Sequence, residues 1–480
     1  MSDVHGLYIG GDWRLTAAAN RNLNPSDVSE VVGLYACGEA ADVAAAVEAA
    51  RSAQPLWMAG GLEARFAMLD AIGQEIIARK EDLGRLLARE EGKTLAEGVG
   101  EAQRAGSIFR YFAGEALRVR GDCIPSIRSG VDIEVTREPV GVVGLITPWN
   151  FPLAIPAWKI APALAFGNAV VFKPAELVPA AAWALTDIIA RSGIPKGLFN
   201  LVMGSGSRVG AAILDHPGID AISFTGSVEV GRTVAVHGAQ RFAKVQCELG
   251  GKNPLIVLDD ADIEIAVEVA VNGAFFSTGQ RCTATSRIIV TDGIYARFMD
   301  ALLARTQALK VGHALDATTH IGPVVDERQL AQDLEYIDIG RREGARLLCG
   351  GIRVQREHRG HYFAPAIFAD VEPQMRIARE EIFGPVAAVI RVKGYEEALE
   401  IANATDFGLS SGICTTSLKW AADFKRRSQA GLTMVNLPTA GVDYHAALSG
   451  KKRSGYGAPE QGRYAAEFYM NWKSAYTRAS

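Results

Sequence analysis

The chain is poor in cysteine, and its cysteines are scattered. Cys37, Cys123, Cys247, Cys282, Cys349 and Cys414 form no CxxC pair and no regular spacing. Neither a disulfide framework nor a thiolate zinc site is therefore expected. The eight histidines include no HExxH run or other clustered ligand set, so no metal is expected either, and His358-Arg359-Gly360-His361 reads as a hydrophilic loop. Excess charge of one sign is also missing. Fifty Lys and Arg stand against 54 Asp and Glu, a net charge of -4. That balance gives no electrostatic case for nucleic acid or an anionic membrane as partner. Apolar runs such as 140–147 fall far short of the roughly 20 residues that span a bilayer, and read as buried strands. The opening Met1-Ser2-Asp3-Val4-His5-Gly6 has no basic stretch leading into an apolar one, so no secretory signal is expected. A reducing cytoplasm is the expected home for these thiols. Internal repeats and low-complexity segments are absent from the pattern.

What is present is the composition of a folded protein, 49% hydrophobic and 22% charged over 480 residues. That length exceeds one ordinary core and predicts two or three domains. Residues 39–120 read mainly as helices, with Leu69, Ile72, Ile76, Leu83, Leu86 and Leu87 at helical spacing. At 121–139 turn residues frame Val131-Asp132-Ile133-Glu134-Val135-Thr136, whose alternation predicts a half-solvated strand in a hairpin. From 140 to 258, strand candidates at 140–147, 169–172, 198–203 and 221–225 alternate with helices at 157–166, 180–192, 208–215 and 228–236. A second series follows to about residue 440, with helices at 261–276, 294–309 and 329–344 and strands at 287–291 and 387–392. Such alternation predicts α/β architecture with parallel sheets covered on both faces. The boundary is expected near Gly250-Gly251, which would put a site in the cleft between the two. The aromatic tail, 464–476, is expected to pair with the 121–137 hairpin or with another subunit.

Three segments carry chemistry. Cys282 lies in Ser277-Thr278-Gly279-Gln280-Arg281-Cys282-Thr283, a polar loop after an apolar helix, where the adjacent Arg281 would favour the thiolate. Cys247, in a strand-like run, is assigned to the core. Glu248 opens Glu248-Leu249-Gly250-Gly251-Lys252, and an apolar strand follows at once. At the rim of a buried sheet its carboxyl would have a raised pKa and suit a general base. Asn150, in Thr147-Pro148-Trp149-Asn150-Phe151-Pro152, sits on a backbone pinned by prolines and aromatics, as a preorganised oxyanion donor requires. A thiol, a carboxylate and an amide are the parts that attack a carbonyl, activate water and hold an oxyanion. A thiol hydrolase built on Cys282 would need a partner histidine, and none lies in a recognisable catalytic segment.

Two glycine-rich segments suit a dinucleotide. Gly204-Ser205-Gly206-Ser207-Arg208-Val209-Gly210 is GxGxxxG and weak. Phe224-Thr225-Gly226-Ser227-Val228-Glu229-Val230-Gly231 is the better candidate, because a strand ends at Thr225 and a helix begins near Ser227, offering free N–H groups to a pyrophosphate. Lys173 and Glu176 follow another apolar strand and suit a ribose.

In order along the chain, TPWNFP (147–152), KPAE (173–176), FTGS (224–227), ELGGK (248–252), GQRC (279–282) and EEIFGP (380–385) resemble the NAD(P)-dependent aldehyde dehydrogenase superfamily, over residues 7 to 476. The resemblance implies two Rossmann-like parallel-sheet domains plus a small β oligomerisation element. It implies a cofactor domain at 1–120 and 140–250, a catalytic domain at 251–445, and the oligomerisation element at 121–139 and 464–480, in a homodimer or homotetramer. It implies Cys282 as nucleophile, Glu248 as the base for the deacylating water, and Asn150 with the Cys282 N–H as oxyanion donors. Trp149, Lys173, Glu176, Gly226, Ser227, Gly231, Glu381 and Phe383 would hold the cofactor, NAD with NADP possible. A narrower likeness, in AFFSTGQRCTATSRIIV (274–290), THIGPVVDERQL (319–330), MVNLPTAGVDYH (434–445) and EQGRYAAEFY (460–469), is to the α-ketoglutaric semialdehyde (2,5-dioxopentanoate) dehydrogenases. That substrate is anionic at its far end, and Arg281 would pair with its carboxylate unless it serves structure or thiolate tuning. Succinate semialdehyde is the alternative within the class, and a catalytically impaired NAD-binding relative the remote one. The chain departs from the family at Ala446-Ala447-Leu448-Ser449-Gly450, where Pro-Phe-Gly-Gly is usual.

Overall fold

The computed structural model describes residues 4–478. The short apolar runs become strands buried on both faces, and two mostly parallel sheets result. In the first, Lys244–Leu249, Ala221–Gly226, Val142–Ile146, Ala169–Lys173 and Phe199–Leu201 lie side by side in parallel. Gly455–Tyr456 adds an antiparallel edge beside Lys244–Leu249, and Leu7–Ile9 with Asp12–Arg14 closes the other side. Val142–Ile146 comes first of the parallel five in the chain yet sits in their middle. Its neighbours, Ala169–Lys173 and Ala221–Gly226, carry the chain away on opposite sides, which opens a crevice at the carboxyl end of this strand.

The second sheet runs Arg346–Cys349, Ala366–Ala369, Val386–Val392, Thr285–Thr291, Asn253–Val257, Ser410–Cys414 and Leu432–Val435, with only the first strand antiparallel. Its side chains alternate between two cores. Ile256, Ile289 and Ile390 face one layer, while Leu255, Val257, Ile288, Val290 and Val389 face the other. Residues Gly250 to Lys252 link the end of a strand in the first sheet to the start of Asn253–Val257 in the second.

The predicted helical region is four helices, Ala40–Ala59, Gly61–Ala78, Lys80–Glu90 and Leu95–Ala116. The last begins in a capping box: Thr94 Oγ1 accepts from Glu97 N at 3.4 Å, and Glu97 Oε2 accepts from Thr94 N at 3.0 Å. Val131–Pro139 pairs antiparallel with both Asp122–Pro125 and Met470–Arg478, with Ile133 opposite Tyr476. Of the two pairings open to the tail, the chain therefore makes the one with its own hairpin. This small sheet is largely uncovered: Ile127 is fully exposed, and Ile124, Trp472 and Tyr476 are about half exposed. No helix among the described residues is long and apolar enough to cross a membrane.

Candidate active site

Cys282 is held by a turn that only dense local bonding maintains. After the helix Ile263–Phe275, Ser277, Thr278 and Gly279 take φ of 51°, 55° and 66°. Left-handed non-glycine residues are costly and persist where surrounding groups fix them. Here Ser277 donates through N and Oγ to Glu97 Oε1 at 2.7 and 3.0 Å, and Thr278 Oγ1 donates to the Gly322 and Pro323 carbonyls. Val325 N donates to Gln280 Oε1 at 3.0 Å. Gly279 has no room for a side chain, since a Cβ would lie 2.4 Å from the Gly384 carbonyl oxygen. Beyond the cysteine, Asn253 Nδ2 donates to the carbonyls of Cys282 (2.8 Å) and Ala284 (2.9 Å).

Asn150 leaves the carboxyl end of Val142–Ile146 and reaches this same loop. Its Nδ2 donates to the Gln280 carbonyl at 2.9 Å, two residues before the cysteine, and keeps a second amide hydrogen. Its own carbonyl accepts from Lys93 Nζ at 2.8 Å. Lys93 is buried and paired with Glu101 at 2.5 Å, and Glu101 Oε1 accepts from Leu153 N and Ala154 N at 2.9 Å, capping the helix Ala154–Ala165. Lys93 and Glu101 thus fix the Asn150 backbone, a role that sequence reasoning missed. In Glu90-Glu91-Gly92-Lys93-Thr94 the first two residues and Lys93 are buried despite their charge.

Glu248 stands near the end of Lys244–Leu249, buried, with Oε2 lacking any partner and the Gly450 N–H donating to its carboxyl. Burial raises it well above the usual carboxylate range, nearby Glu460 adds to the rise, and Lys159 opposes it. This is the raised carboxyl expected of a general base at a sheet rim. Glu460 and Lys159 form a buried ion pair that sequence reasoning also missed. Lys159 Nζ donates to Ser223 Oγ (2.7 Å) and Trp158 Nε1 to Glu460 Oε2 (2.7 Å). The available signal was a lone lysine in the otherwise apolar helix Ala154–Ala165.

The Cys282 thiol is pushed up to about 12, by burial first and then by Glu248 and Glu381; the N–H groups of Thr283 and Cys282, which bond the sulfur, act the other way. The expected thiolate-favouring effect of Arg281 is not found. Its guanidinium lies 3.5 Å from Glu97 Oε1 and 3.4 Å from Asn272 Oδ1, so its charge is compensated elsewhere. Because the thiolate forms only at high pH, alkylation of Cys282 by iodoacetamide in cofactor-free protein should climb with pH through 9 without a plateau. Glu248→Gln removes a repelling carboxylate and should move that curve to lower pH, read by mass spectrometry of the labelled peptide.

A crevice opens beyond the carboxyl ends of the first sheet. Ser227 Oγ accepts from Val230 N at 3.4 Å, capping the helix Val228–Gln240, whose first N–H groups face outward from the strand end at Gly226. Gly231 serves close packing, because a Cβ there would lie 2.4 Å from Leu249 Cδ2. Lys173, the last residue of its strand, donates to the Pro174 carbonyl at 2.9 Å and is brought down to about 8 by burial, against the pull of exposed Glu176. The Thr147 and Thr225 hydroxyls are buried without partners at the ends of their strands. Across from them, Glu381 Oε1 accepts from Gly251 N at 2.9 Å and is pushed up to about 7 by burial. A Cβ on Gly250 would meet that carboxylate at 2.0 Å, which explains the glycine. Phe383, at φ 62°, packs edge-on to Trp149 with centroids 5.4 Å apart. Unpartnered hydroxyls, a helix start, a buried lysine and a carboxylate fit the pyrophosphate and two riboses of a dinucleotide.

A separate cavity of about 290 Å³ reaches Cys282, lined in part by Phe151, Trp158, Val442, Leu448, Arg281 and Arg104. The departing segment 446–450 thus contributes Leu448 to this wall and a backbone donor to Glu248. Among the described residues no group of His, Cys, Asp and Glu is placed to hold a metal ion.

A thiol, an amide donor and a raised carboxyl, between the crevice and an apolar cavity, are the parts that could attack a carbonyl and activate water. The chain belongs to the aldehyde dehydrogenase family, whose profile matches residues 13–475. It is 43% identical over 477 residues to an α-ketoglutaric semialdehyde dehydrogenase of Bacillus subtilis (strain 168), covering 98% of this chain and 97% of that one. Its fold matches the crystal structure of betaine aldehyde dehydrogenase from Staphylococcus aureus in complex with NAD+ at a TM-score of 0.96, with 35% identity and 99% and 95% of the two chains covered. An NADP-dependent enzyme of E. coli matches at 0.95, again with 35% identity, over 99% and 98%.

Proposed function

We propose that the protein oxidises 2,5-dioxopentanoate, the semialdehyde of α-ketoglutarate, to 2-oxoglutarate with a nicotinamide dinucleotide. The observation that carries the reading is Cys282 and Asn150 held on one loop framework, with the Glu248 carboxyl, unpartnered at Oε2, close enough to repel the thiolate. The substrate follows from the full-length likeness to the Bacillus enzyme and from a cavity that carries arginine.

In this reading the Cys282 thiol gives its proton to a solvent water and Sγ bonds to the aldehyde carbon. The oxyanion is held by the free Asn150 amide hydrogen and the Cys282 N–H. A nicotinamide bound in the crevice would supply the hydride acceptor. The thioester left on Cys282 is attacked by a water whose proton passes to Glu248, and the acid leaves as the thiol is restored. Thr147, Thr225, Lys173 and the start of Val228–Gln240 would hold the adenosine and pyrophosphate, with Gly226, Ser227 and Gly231 shaping that helix start. Glu381 would hold the second ribose, and Phe383 and Trp149 would wall it. Glu176, exposed at the rim, repels a 2′-phosphate and favours NAD, while Lys173 leaves NADP use open.

Asn150→Ala should lower kcat/KM by about 10² to 10³, the cost of one oxyanion donor, with cofactor affinity retained in a fluorescence titration. The reading as a whole is tested by steady-state assay of short aldehydes, with and without a terminal carboxylate, against both cofactors. Preference for uncharged aldehydes would overturn the substrate assignment.

We further propose the division into a cofactor domain (1–120 and 140–250), a catalytic domain (251–445) and an oligomerisation element (121–139 and 464–480), and a reducing, cytoplasmic setting. The two sheets and the free state of all six cysteines support these. The uncovered Ile124, Ile127, Trp472 and Tyr476 support a second copy of the chain on the small sheet.

A further inference from the structure

The cavity that reaches Cys282 contains two polar side chains for which the protein supplies no partner. Arg104 lies on the helix Leu95–Ala116, whose residues Glu97, Gly100, Glu101 and Arg104 fall on one face and line the cavity. The two carboxylates of that face are committed: Glu97 to Thr94, Ser277 and Arg281, and Glu101 to Lys93 and the N-terminus of Ala154–Ala165. Arg104 makes no hydrogen bond and no ion pair with any described residue, and its Nε is buried without a partner. Asp443, which is exposed, and Glu101 attract it only from beyond ion-pair range. Gln461 is 1% exposed, yet neither Nε2 nor Oε1 has a partner. Its backbone is held at φ 62°, between Glu460, which is locked by Lys159 and Trp158, and Gly462, whose N–H donates to the Tyr444 carbonyl.

Buried donors without acceptors are costly, and a desolvated guanidinium without a carboxylate is costlier still. Both are explained if the missing acceptors arrive with the substrate. We propose that Arg104 binds the distal carboxylate of the aldehyde substrate and that the Gln461 amide donates to its 2-oxo oxygen, which makes these two residues, rather than Arg281, the determinants of substrate choice. This rests on the carboxylated-aldehyde reading above and sharpens it. Arg281 adjoins the nucleophile and already faces Glu97, so a substrate carboxylate there would compete with a resident one. Arg104 instead lies about 10 Å along the helix axis from Glu97, which abuts the Cys282 loop. An extended five-carbon chain, with one end on the sulfur and the other hydrogen-bonded, spans a similar length.

The test measures kcat and KM for 2,5-dioxopentanoate, succinate semialdehyde and uncharged pentanal in the wild-type enzyme and in Arg104→Met, Arg104→Lys, Gln461→Leu and Arg281→Met. Arg104→Met should lower the ratio of kcat/KM for either acid to that for pentanal by about 100-fold, chiefly through KM. Arg104→Lys should recover part of it, because charge returns without the planar fork. Gln461→Leu should lower the ratio of dioxopentanoate to succinate semialdehyde about tenfold. Pentanal turnover in each variant shows that it folds, and the ratios are internal to each protein. If the acid-to-pentanal ratio survives Arg104→Met and collapses in Arg281→Met, the assignment to Arg104 is wrong while the substrate reading stands. A wild-type enzyme that oxidises pentanal as well as the two acids overturns the substrate reading and this proposal together.

Discussion

Replacing Cys282 by Ala should reduce aldehyde-dependent formation of reduced cofactor by at least about 10⁴-fold, since the nucleophile defines the path and no second group substitutes for it. The other thiols do not share its position. Cys247 Sγ donates to the Gly231 carbonyl at 3.7 Å, and burial pushes it up to about 12 in the core of the first sheet. Cys414 lies in the corresponding place in the second. The substitution removes one sulfur from a loop whose other bonds, from Ser277, Thr278, Gln280 and Asn253, remain. Fold and dinucleotide binding should therefore persist, read by circular dichroism and by quenching of tryptophan fluorescence. Turnover retained by Cys282→Ala would remove the nucleophile assignment and, with it, the thioester path.

Glu248→Gln should separate the two halves of the reaction. Sulfur addition and loss of hydride do not require this carboxyl, so a first turnover should still release about one equivalent of reduced cofactor per site in a stopped-flow trace. Steady turnover should fall by about 10² to 10⁴, the range for a lost general base. The isosteric amide keeps the volume of a side chain that is buried and unpartnered at Oε2, so packing at the strand end should be unchanged. A steady rate equal to that of the wild type would place the base elsewhere, with Glu460 the next carboxyl in the same buried cluster.

The residues that sequence reasoning located share a property: each stands where apolar strand or helix gives way to Gly, Pro or Asn. Cys282, Glu248 and Asn150 all sit at such junctions: Asn150 and Glu248 at the carboxyl ends of strands in the first sheet, Cys282 in the loop that leads into Thr285–Thr291 of the second. The residues it missed are charged groups inside regular structure. Lys93, Glu101, Lys159 and Glu460 are buried and paired with one another across 8 to about 300 residues of chain. Local pattern cannot distinguish a partnered buried charge from a solvated one when the partner is that remote. The short strands Ala366–Ala369, Ser410–Cys414 and Leu432–Val435 escaped for a related reason. Four or five residues give too little periodicity, and parallel pairing with neighbours already in the sheet settles their state. Arg281 does not favour the thiolate because adjacency in the chain is not adjacency in charge: Glu97, from a distant helix, is the group its guanidinium meets.

The cavity that holds Arg104 and Gln461 shares no lining residue with Thr147, Lys173, Ser227, Glu381 or Phe383 on the crevice side. With Cys282 as the proposed nucleophile, the sulfur would be a partition served by two doors. Reduced dinucleotide would back out of one while the acyl group is still tethered, and the carboxylic acid would exit the other without waiting for it. Inhibition patterns should follow that plumbing, with acid product competing against aldehyde and not against the oxidised coenzyme.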